Sequence, residues 1–333
     1  MNPTMRAAVL YDIDDIRIEE RPVPALGDGE VLVRTMASGI CSGDVMAWYI
    51  RRKAPLVLGH EPAGVIAAVN GDSKFSVGDR VFVHHHAPCF ACRACARGDY
   101  VQCSTWRATK IDPGGIAEYF RVSAENQRDT LTLPDGVAFP DASLVEPLAC
   151  VVKSLRRSGV APGDRLYVIG LGVMGLLHVL AARALGVEVF AGDFIAERRA
   201  LGERNGAVTF HPDDVRGVLT DGADAVICGP GTAPAMQAAI AAAAPGGRVV
   251  MFTPFSPETP LAIDPERFYF GDLRLIASYS CGPDDTREAL RLIGSGTVSA
   301  ERVGASLVGL DEVPRAYREL AASRIVKPIV CFD

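Results

Sequence analysis

The chain has 333 residues, of which 49% are hydrophobic, and carries a formal net charge of −6. This length and apolar content allow two domains with separate cores and exclude an intrinsically disordered chain. The acidic balance argues against an extended nucleic-acid surface. The longest apolar run, at 238–244, is much shorter than the roughly 18 residues needed to span a bilayer. We therefore expect a soluble protein without nucleic-acid or membrane partners.

Approximately the first 140 residues are predicted to form short β-strands, because apolar segments such as 30–34 and 63–69 are separated by Gly, Pro and Asp. Candidate metal ligands lie in and just after this β-rich part. Cys41, the pair His60 and Glu61, and Glu146 together offer a thiolate, an imidazole and carboxylates. Such a set leaves a coordination position open for water or a substrate oxygen, which is typical of a catalytic zinc.

Four cysteines, Cys89, Cys92, Cys95 and Cys103, follow the pattern CxxCxxC with a fourth Cys a little further on. Four thiolates close a tetrahedral zinc site, so this site is predicted to be structural. Disulfides are the less favoured interpretation, because the N-terminus has no charged-then-apolar leader and the chain has nine cysteines, an odd number. We accordingly expect a cytoplasmic protein.

A run of three histidines, His84 to His86, precedes the four cysteines. Consecutive side chains of a strand point to opposite faces, so we expect packing or hydrogen bonding and not a third metal site.

From about residue 145 the pattern changes to apolar strands alternating with helices, which predicts a doubly wound parallel sheet. The predicted strands are 165–169, 187–191, 207–210, 225–228, 248–252 and 273–277. The closing segment, with helices at 284–293 and 313–323 and strands at 305–308 and 329–332, does not extend this pattern. We expect it to return to the first domain.

The first of these strands leads into a GxGxxG motif and then a helix, the context of a dinucleotide-binding loop. Gly170 permits the tight turn, Gly172 lets the backbone approach a pyrophosphate, and Gly175 allows close packing of helix and strand. The helix N-terminus, with Val173 and Met174 between the last two glycines, is predicted to hold the phosphates.

Asp193 follows the next strand and is predicted to accept hydrogen bonds from the adenosine ribose, which favours NAD over NADP. Arg198 and Arg199 could instead serve a 2′-phosphate, although solvation or pairing with Glu197 or Glu203 is the preferred interpretation.

Taken together, these motifs resemble the zinc-containing medium-chain dehydrogenase/reductase superfamily. Its segments occur in the family's order along nearly the whole chain: those around Cys41 and His60, the four-cysteine lobe, 114–119, 146–148 and the GxGxxG motif. Glu146, where the alcohol dehydrogenases of the family carry a cysteine, makes the chain more similar to the sorbitol (polyol) and threonine dehydrogenase branch.

The resemblance implies an α/β protein with a GroES-like catalytic domain and a Rossmann domain, the active site lying between them. We place the catalytic domain at 1–147 with a structural-zinc lobe at about 84–106, the NAD-binding domain at 148–279 and the returning segment at 280–333. It implies two zinc ions per chain. At the catalytic ion Cys41 and His60 are direct ligands, and Glu61 and Glu146 share the remaining positions with water, the inner carboxylate being unassigned.

The chain departs from the family at the proton relay, because Gly43 and Met46 stand where many relatives carry a hydroxyl residue and a histidine. Ser42, or water moved by Glu61, is the hypothetical substitute. Between Cys41 and His60, Trp48 and Tyr49 are candidates for an apolar pocket wall. Arg51, Arg52 and Lys53 are candidates for binding an anionic substrate group, the alternative being a solvated face.

The resulting hypothesis is a zinc-dependent enzyme that transfers a hydride from a secondary, polyol-like alcohol to NAD. One alternative is a threonine-type dehydrogenase acting on a β-hydroxy-amino acid, which would need a carboxylate partner among the three cations. Another is a non-catalytic zinc and nucleotide-binding scaffold or redox sensor. The resemblance also suggests a homo-oligomer, tetramer or dimer, formed through the nucleotide domain.

Overall fold

The computed structural model describes residues 4–333, which divide into two compact units. The terminal unit contains the described residues up to Ala149 together with Cys281–Asp333, and the central unit contains Cys150–Ser280. The first division falls inside a helix, Val145–Ser158.

The strands of the two units are numbered in chain order. They are β1 (Thr4–Asp12), β2 (Asp15–Pro22), β3 (Glu30–Gly39), β4 (Leu56–Val57), β5 (Pro62–Asn70), β6 (Arg80–Val83), β7 (Tyr119–Val122), β8 (Thr130–Thr132), β9 (Arg165–Ile169), β10 (Glu188–Gly192), β11 (Val208–Phe210), β12 (Ala223–Cys228), β13 (Ala243–Met251), β14 (Arg274–Ala277), β15 (Ala305–Val308) and β16 (Lys327–Cys331).

The helices are numbered in the same way. They are α1 (Ala47–Ile50), α2 (Arg93–Ala96), α3 (Ser104–Ala108), α4 (Phe139–Ala142), α5 (Val145–Ser158), α6 (Val173–Ala184), α7 (Ala196–Arg204), α8 (Val215–Val218), α9 (Ala233–Ala242), α10 (Pro265–Phe270), α11 (Pro283–Gly294) and α12 (Val313–Ala321). Short 3-10 helices lie at Tyr100–Gln102, Asn126–Asp129, Pro212–Asp214 and Leu310–Glu312.

The terminal unit is built on two sheets. A three-stranded sheet has the order β2-β1-β4, and a seven-stranded sheet has the order β15-β16-β3-β5-β6-β8, with β7 paired to β3. Strand β3 is buried along most of its length because β5, β7 and β16 all pair with it. These sheets contain the short β-strands that were predicted for approximately the first 140 residues.

The closing segment of the chain returns to this unit and positions part of its candidate site. Strand β16 runs antiparallel to β3, with Ile329 opposite Gly39. The amide of Ile40 donates to the carbonyl of Pro328 at 3.0 Å. The pairing brings Lys327, at the start of β16, next to the segment that leads to Cys41.

The central unit is a six-stranded parallel sheet with the order β11-β10-β9-β12-β13-β14. Strand order reverses beside β9, so the carboxyl end of β9 is the switch point at which doubly wound sheets bind nucleotides. Its strands are apolar because helices cover a parallel sheet on both faces. The predicted α/β class with a doubly wound parallel sheet is confirmed.

The largest difference from the predicted elements is in β13, which begins at Ala243 and not at 248. The sequence suggested a break at the Pro and glycines of 245–247, but these residues form an irregularity inside the strand. Ala243 pairs with Ala223, and regular pairing resumes at Arg248 opposite Ala225. Within residues 4–333, no helix is both long and apolar enough to cross a membrane.

Candidate metal and nucleotide sites

The four cysteines of the lobe converge on one point. Their Sγ atoms lie 3.6 Å apart for Cys92 and Cys95, 3.6 Å for Cys89 and Cys103, and 3.9 Å for Cys89 and Cys95. A tetrahedron with Zn–S bonds of about 2.3 Å has edges of about 3.8 Å. A disulfide would need sulfurs only about 2.0 Å apart. The lobe therefore fits a zinc ion held by four thiolates.

Backbone amides also favour thiolates in this lobe. The amide of Cys89 donates to Cys103 Sγ at 3.4 Å, and that of Ala91 donates to Cys89 Sγ at 3.4 Å. Burial raises the pKa of Cys103, but amide donors including Cys89 outweigh it and lower the pKa to about 6. Burial raises the pKa of Cys95 to about 12, the neighbouring thiols adding to the effect. A divalent cation would relieve this crowding of thiol groups, since metal ligation deprotonates a thiol.

A second group of candidate ligands consists of Cys41, His60 and Glu61. One ligand atom of each lies within 4.8 Å of the other two. Cys41 is in the turn after β3, and His60 and Glu61 immediately precede β5, the neighbouring strand. Thus the pairing of β3 with β5 brings together residues from two segments. The amide of Gly43 donates to Cys41 Sγ at 3.3 Å.

Glu61 is almost fully buried and forms an ion pair with Lys327, each side chain being 1% exposed. Lys327 Nζ also donates to the carbonyl of Ile40 at 3.1 Å. The salt bridge uses Glu61 Oε2, whereas Oε1 is buried and has no hydrogen-bond partner among residues 4–333. An unpartnered buried carboxylate oxygen is costly unless something binds it. The sulfur, nitrogen and oxygen donors therefore fit a zinc ion.

His60 lies against Asp44, with Nδ1 and Oδ2 3.8 Å apart. Burial disfavours the charged imidazole, but the negative charges of Asp44 and Cys41 prevail and raise the pKa of His60 well above its ordinary value. Burial in turn raises the pKa of Asp44. His60 keeps 28% of its side chain exposed. With three protein ligands, a zinc ion at this candidate site would keep a coordination position open, whereas the four thiolates of the lobe leave none.

Glu146, the fourth predicted ligand of the catalytic zinc, lies in a neighbouring set. Its carboxylate groups with ring nitrogens of His84 and His85 within 4.8 Å, and not with the set of Cys41. Burial raises the pKa of Glu146, while the charge of His60 opposes the shift. The structure thus brings three of the four predicted ligands together and places the fourth nearby.

The three consecutive histidines have different surroundings. His84 is buried and its Nδ1 lies 2.6 Å from Asp129 Oδ2, while His86 Nδ1 bonds the carbonyl of Thr109. Hydrogen bonding was the expected role, and these two contacts agree with it. The argument from strand alternation is wrong beyond Val83, however, because β6 ends there and His84 and His85 both approach Glu146.

The residues between Cys41 and His60 form a turn, the short helix α1 and the short strand β4. Ser42 is half-buried beside Cys41 in that turn, and Gly43 and Met46 follow it. The three cations downstream are exposed and have partners: Arg51 bonds Asp12 at 2.8 Å, Arg52 lies 5.5 Å from the ring of Trp48, and Lys53 donates to the Tyr49 hydroxyl at 2.7 Å. This arrangement agrees with the solvated-face interpretation of the charge run.

The glycine motif forms the loop between β9 and α6 in the central unit. Gly170 has φ +87°, which side chains rarely adopt, and a Cβ on Gly175 would lie 1.9 Å from the carbonyl oxygen of Gly170. A Cβ on Gly172 would meet nothing within 4 Å, so the space beside this residue is open to a ligand. No side chain caps the N-terminus of α6, which begins at Val173 and continues through Met174. Its free N–H groups fit a pyrophosphate.

Asp193 follows β10 and is 7% exposed. Its Oδ2 accepts from the amide of Leu171 at 2.7 Å and its Oδ1 from that of Ile195 at 2.8 Å, so the carboxylate ties the glycine loop to the next strand. Arg198 lies 4.0 Å from Asp193, and Arg199 donates to the Asp193 carbonyl at 2.7 Å. Both arginines therefore contact Asp193, next to the glycine loop.

Sequence reasoning missed two residues that support the open site, Lys327 and Asp44. Lys327 begins a strand that is otherwise apolar, and a charged residue there was the only available signal. Asp44 was part of the segment noted for Cys41, but nothing in the sequence linked it to His60.

Two family models match the chain. The alcohol dehydrogenase GroES-like domain matches residues 27–135, and the zinc-binding dehydrogenase model matches residues 173–295. D-xylulose reductase A from Aspergillus oryzae is 30% identical, over 97% of this chain and 95% of the relative. Sorbitol dehydrogenase from Bacillus subtilis is also 30% identical, over 94% of this chain and 92% of the relative.

Solved structures agree with these matches. A zinc-binding dehydrogenase from Sinorhizobium meliloti 1021, bound to NADP, is 28% identical with a TM-score of 0.88, covering 99% of each chain. An alcohol dehydrogenase from Thermus sp. ATN1 is 26% identical with a TM-score of 0.88, covering 99% of this chain and 100% of the other.

The chain therefore belongs to the zinc-containing medium-chain dehydrogenase/reductase superfamily, in its polyol dehydrogenase branch. The predicted GroES-like and Rossmann features are confirmed by the family models and the structural neighbours. Membership makes the protein an oxidoreductase that uses zinc and a nicotinamide cofactor on a small-molecule substrate.

Proposed function

We propose that this protein oxidises a secondary hydroxyl group of a polyol to a ketone, with NAD as hydride acceptor. The observation that carries the proposal is the open cluster of Cys41, His60 and Glu61, with an unpartnered buried carboxylate oxygen. Relatives named as a D-xylulose reductase and a sorbitol dehydrogenase support a polyhydroxylated substrate.

In this proposal Cys41 and His60 hold the zinc ion, and Glu61 or Glu146 supplies the carboxylate ligand. When bound, the ion supplies a Lewis acid that makes a substrate hydroxyl more acidic. The closed sulfur cage of Cys89, Cys92, Cys95 and Cys103 has no open position and serves the fold.

The surrounding residues position the ligands. Lys327 pairs with one oxygen of Glu61, and the other oxygen is buried without a hydrogen-bond partner among the described residues. Asp44 lies beside the imidazole of His60 and favours one orientation of its ring. Ser42, next to Cys41, remains our candidate for removing the hydroxyl proton, in the absence of a hydroxyl at Gly43.

We propose NAD as the preferred cofactor because Asp193 places a negative charge where a 2′-phosphate would bind. Arg198, 4.0 Å from the carboxylate, weakens that repulsion. Asp193→Asn keeps an acceptor oxygen for the Leu171 amide but removes the charge. The ratio of kcat/KM for NAD to that for NADP should fall about tenfold or more in this variant, and an unchanged ratio would exclude Asp193 as the determinant.

The function itself is tested by metal analysis and by NADH absorbance over a panel of polyols, simple secondary alcohols, β-hydroxy-amino acids and ketoses. We expect two zinc ions per chain and turnover with polyols. Turnover restricted to β-hydroxy-amino acids would favour the threonine-type reaction. Bound cofactor with no turnover on any member would favour a binding protein.

We further propose self-association through the central unit. Tyr269 and Phe270, at the end of α10, are 78% and 79% exposed. Their rings lie 5.2 Å apart and form one exposed apolar patch, a feature typical of protein–protein contacts. Light scattering of the wild type and of Tyr269→Lys should give a dimer or tetramer and a smaller species, respectively.

A further inference from the structure

His85 is a half-buried histidine that has no role in the proposed mechanism. It follows β6 and is half-buried, between two histidines whose Nδ1 atoms are already bonded. His85 Nδ1 differs from both, because it is buried and has no hydrogen-bond partner among the described residues. A buried imidazole nitrogen normally has a hydrogen-bond partner, so we expect a bound molecule to supply one for His85 Nδ1.

The ring of His85 lies beside the candidate metal cluster. Its centroid is 5.1 Å from that of His60, and a ring nitrogen lies within 4.8 Å of the Glu146 carboxylate. A substrate hydroxyl bound at the open cluster would lie beside His60, one of its candidate ligands. The hydroxyl on the adjacent carbon of a polyol would then lie close to His85, whose ring is next to that of His60.

A hydroxyl group suits this imidazole because each has both donor and acceptor capacity. A simple secondary alcohol has no hydroxyl to offer at this position. The unpartnered nitrogen would then stay desolvated, which penalises that substrate relative to a polyol.

We propose that His85 binds the hydroxyl group adjacent to the reacting one, and so selects polyols over simple secondary alcohols. This inference rests on the proposed polyol oxidation and adds the residue that recognises the substrate class. His85 touches the substrate but not the hydride that is transferred.

The test compares His85→Phe with the wild type on a polyol and on its deoxy analogue, which lacks the adjacent hydroxyl. Phe keeps an aromatic ring against His60 and removes both nitrogens. The loss of kcat/KM on the polyol should exceed the loss on the deoxy analogue by about 10- to 100-fold. His85→Asn, whose amide can occupy the position of Nδ1, should recover part of the preference.

His86→Phe is the matched control, since it is the same substitution one residue further on. His86 Nδ1 is bonded to the Thr109 carbonyl, and its ring packs on Trp106 with centroids 4.2 Å apart. Phe preserves that ring contact. The ratio of kcat/KM on the polyol to kcat/KM on the deoxy analogue should therefore match that of the wild type.

Two measurements independent of turnover accompany the kinetics. Zinc content should remain at two ions per chain in His85→Phe, and the rise in Tm produced by saturating polyol in the presence of NADH should shrink. Loss of one zinc would overturn the inference, because His85 would then hold metal with His84 and Glu146. An unchanged substrate ratio in both His85 variants would overturn it as well.

The outcomes separate this inference from the function on which it rests. A wild type active on polyols, with an unaltered ratio in the variants, contradicts only the role of His85. A wild type that neither turns over nor is stabilised by any polyol contradicts the proposed function and the inference together.

Discussion

The two candidate zinc sites of the terminal unit differ in how far apart along the chain their residues lie. Cys89 and Cys103, which bound the lobe, are 14 residues apart. Glu61 and its partner Lys327 are 266 residues apart. The four ligands of the lobe come from one short segment of the chain. The open cluster and its Lys327 partner, in contrast, come together only when β3 pairs with β5 and β16. The comparison suggests that loss of the lobe metal should affect stability, and loss of the open-site metal should affect catalysis.

The largest expected effect is on stability, from Cys95→Ser. Removing one thiolate leaves only three sulfur ligands for the zinc ion of the lobe, and we expect this ion to be lost. We expect one zinc per chain and a decrease of about 5 kcal/mol in the free energy of unfolding, since structural zinc contributes directly to folding. Metal analysis and urea denaturation measure both. Full stability with one zinc would show that the lobe is not a structural site.

The reverse pattern is expected for Cys41→Ser. The variant should also hold one zinc, but its Tm should change little because the site is partly open to solvent. The kcat/KM on the best polyol should fall about 10³-fold, equivalent to about 4 kcal/mol in the barrier. Cys331→Ser, half-buried and outside both clusters, is the control and should retain activity and both zinc ions. Substantial activity in Cys41→Ser would place the chemistry elsewhere.

Lys327→Met tests the long-range support of the open cluster. It leaves the Glu61 carboxylate buried without its counter-ion, which should reduce the free energy of unfolding by about 3 kcal/mol. The double variant Glu61→Gln with Lys327→Met removes both charges and should recover most of this loss. Chemical denaturation of the four proteins gives the coupling energy. Additive losses would mean that the pair is not coupled.

The smallest effect concerns the missing relay. A Cβ on Gly43 would meet only Cys41 Sγ, at 3.4 Å, an ordinary contact. Gly43→Ser should therefore fold and, by supplying a hydroxyl, raise kcat at low pH about threefold. Gly43→Ala is the matched control because it adds only the Cβ. If both variants behave alike, proton removal does not limit the rate.

Ser42→Ala completes the test of the relay. We expect the pH dependence of kcat to shift if Ser42 passes the proton. An unchanged profile would exclude Ser42 and favour water moved by Glu61.

Much of the fold could be predicted because local patterns determine it. Strand β9 was predicted with the bounds that the structure gives, since an apolar run leads directly into the glycine loop. Strand β13 was predicted too short because Pro and Gly normally end strands, and only pairing with β12 shows that they form an irregularity. The spacing of the four cysteines likewise encodes their convergence.

The open cluster could be predicted only in part. The residue types of Cys41, His60 and Glu61 indicated a metal, but Lys327 comes from the far end of the chain and no pattern pairs it with Glu61. Neither the position of Glu146 beside His84 nor the unpartnered nitrogen of His85 follows from spacing, because both depend on how β6 ends.

The most direct test of a closed structural zinc and an open reactive zinc in one unit is anomalous diffraction at the zinc absorption edge from crystals of the holoenzyme. We predict two peaks, one at the centre of the four lobe sulfurs and one between Cys41 Sγ and His60. A second peak among His84, His85 and Glu146 with none at Cys41, or the absence of any second peak, would contradict it.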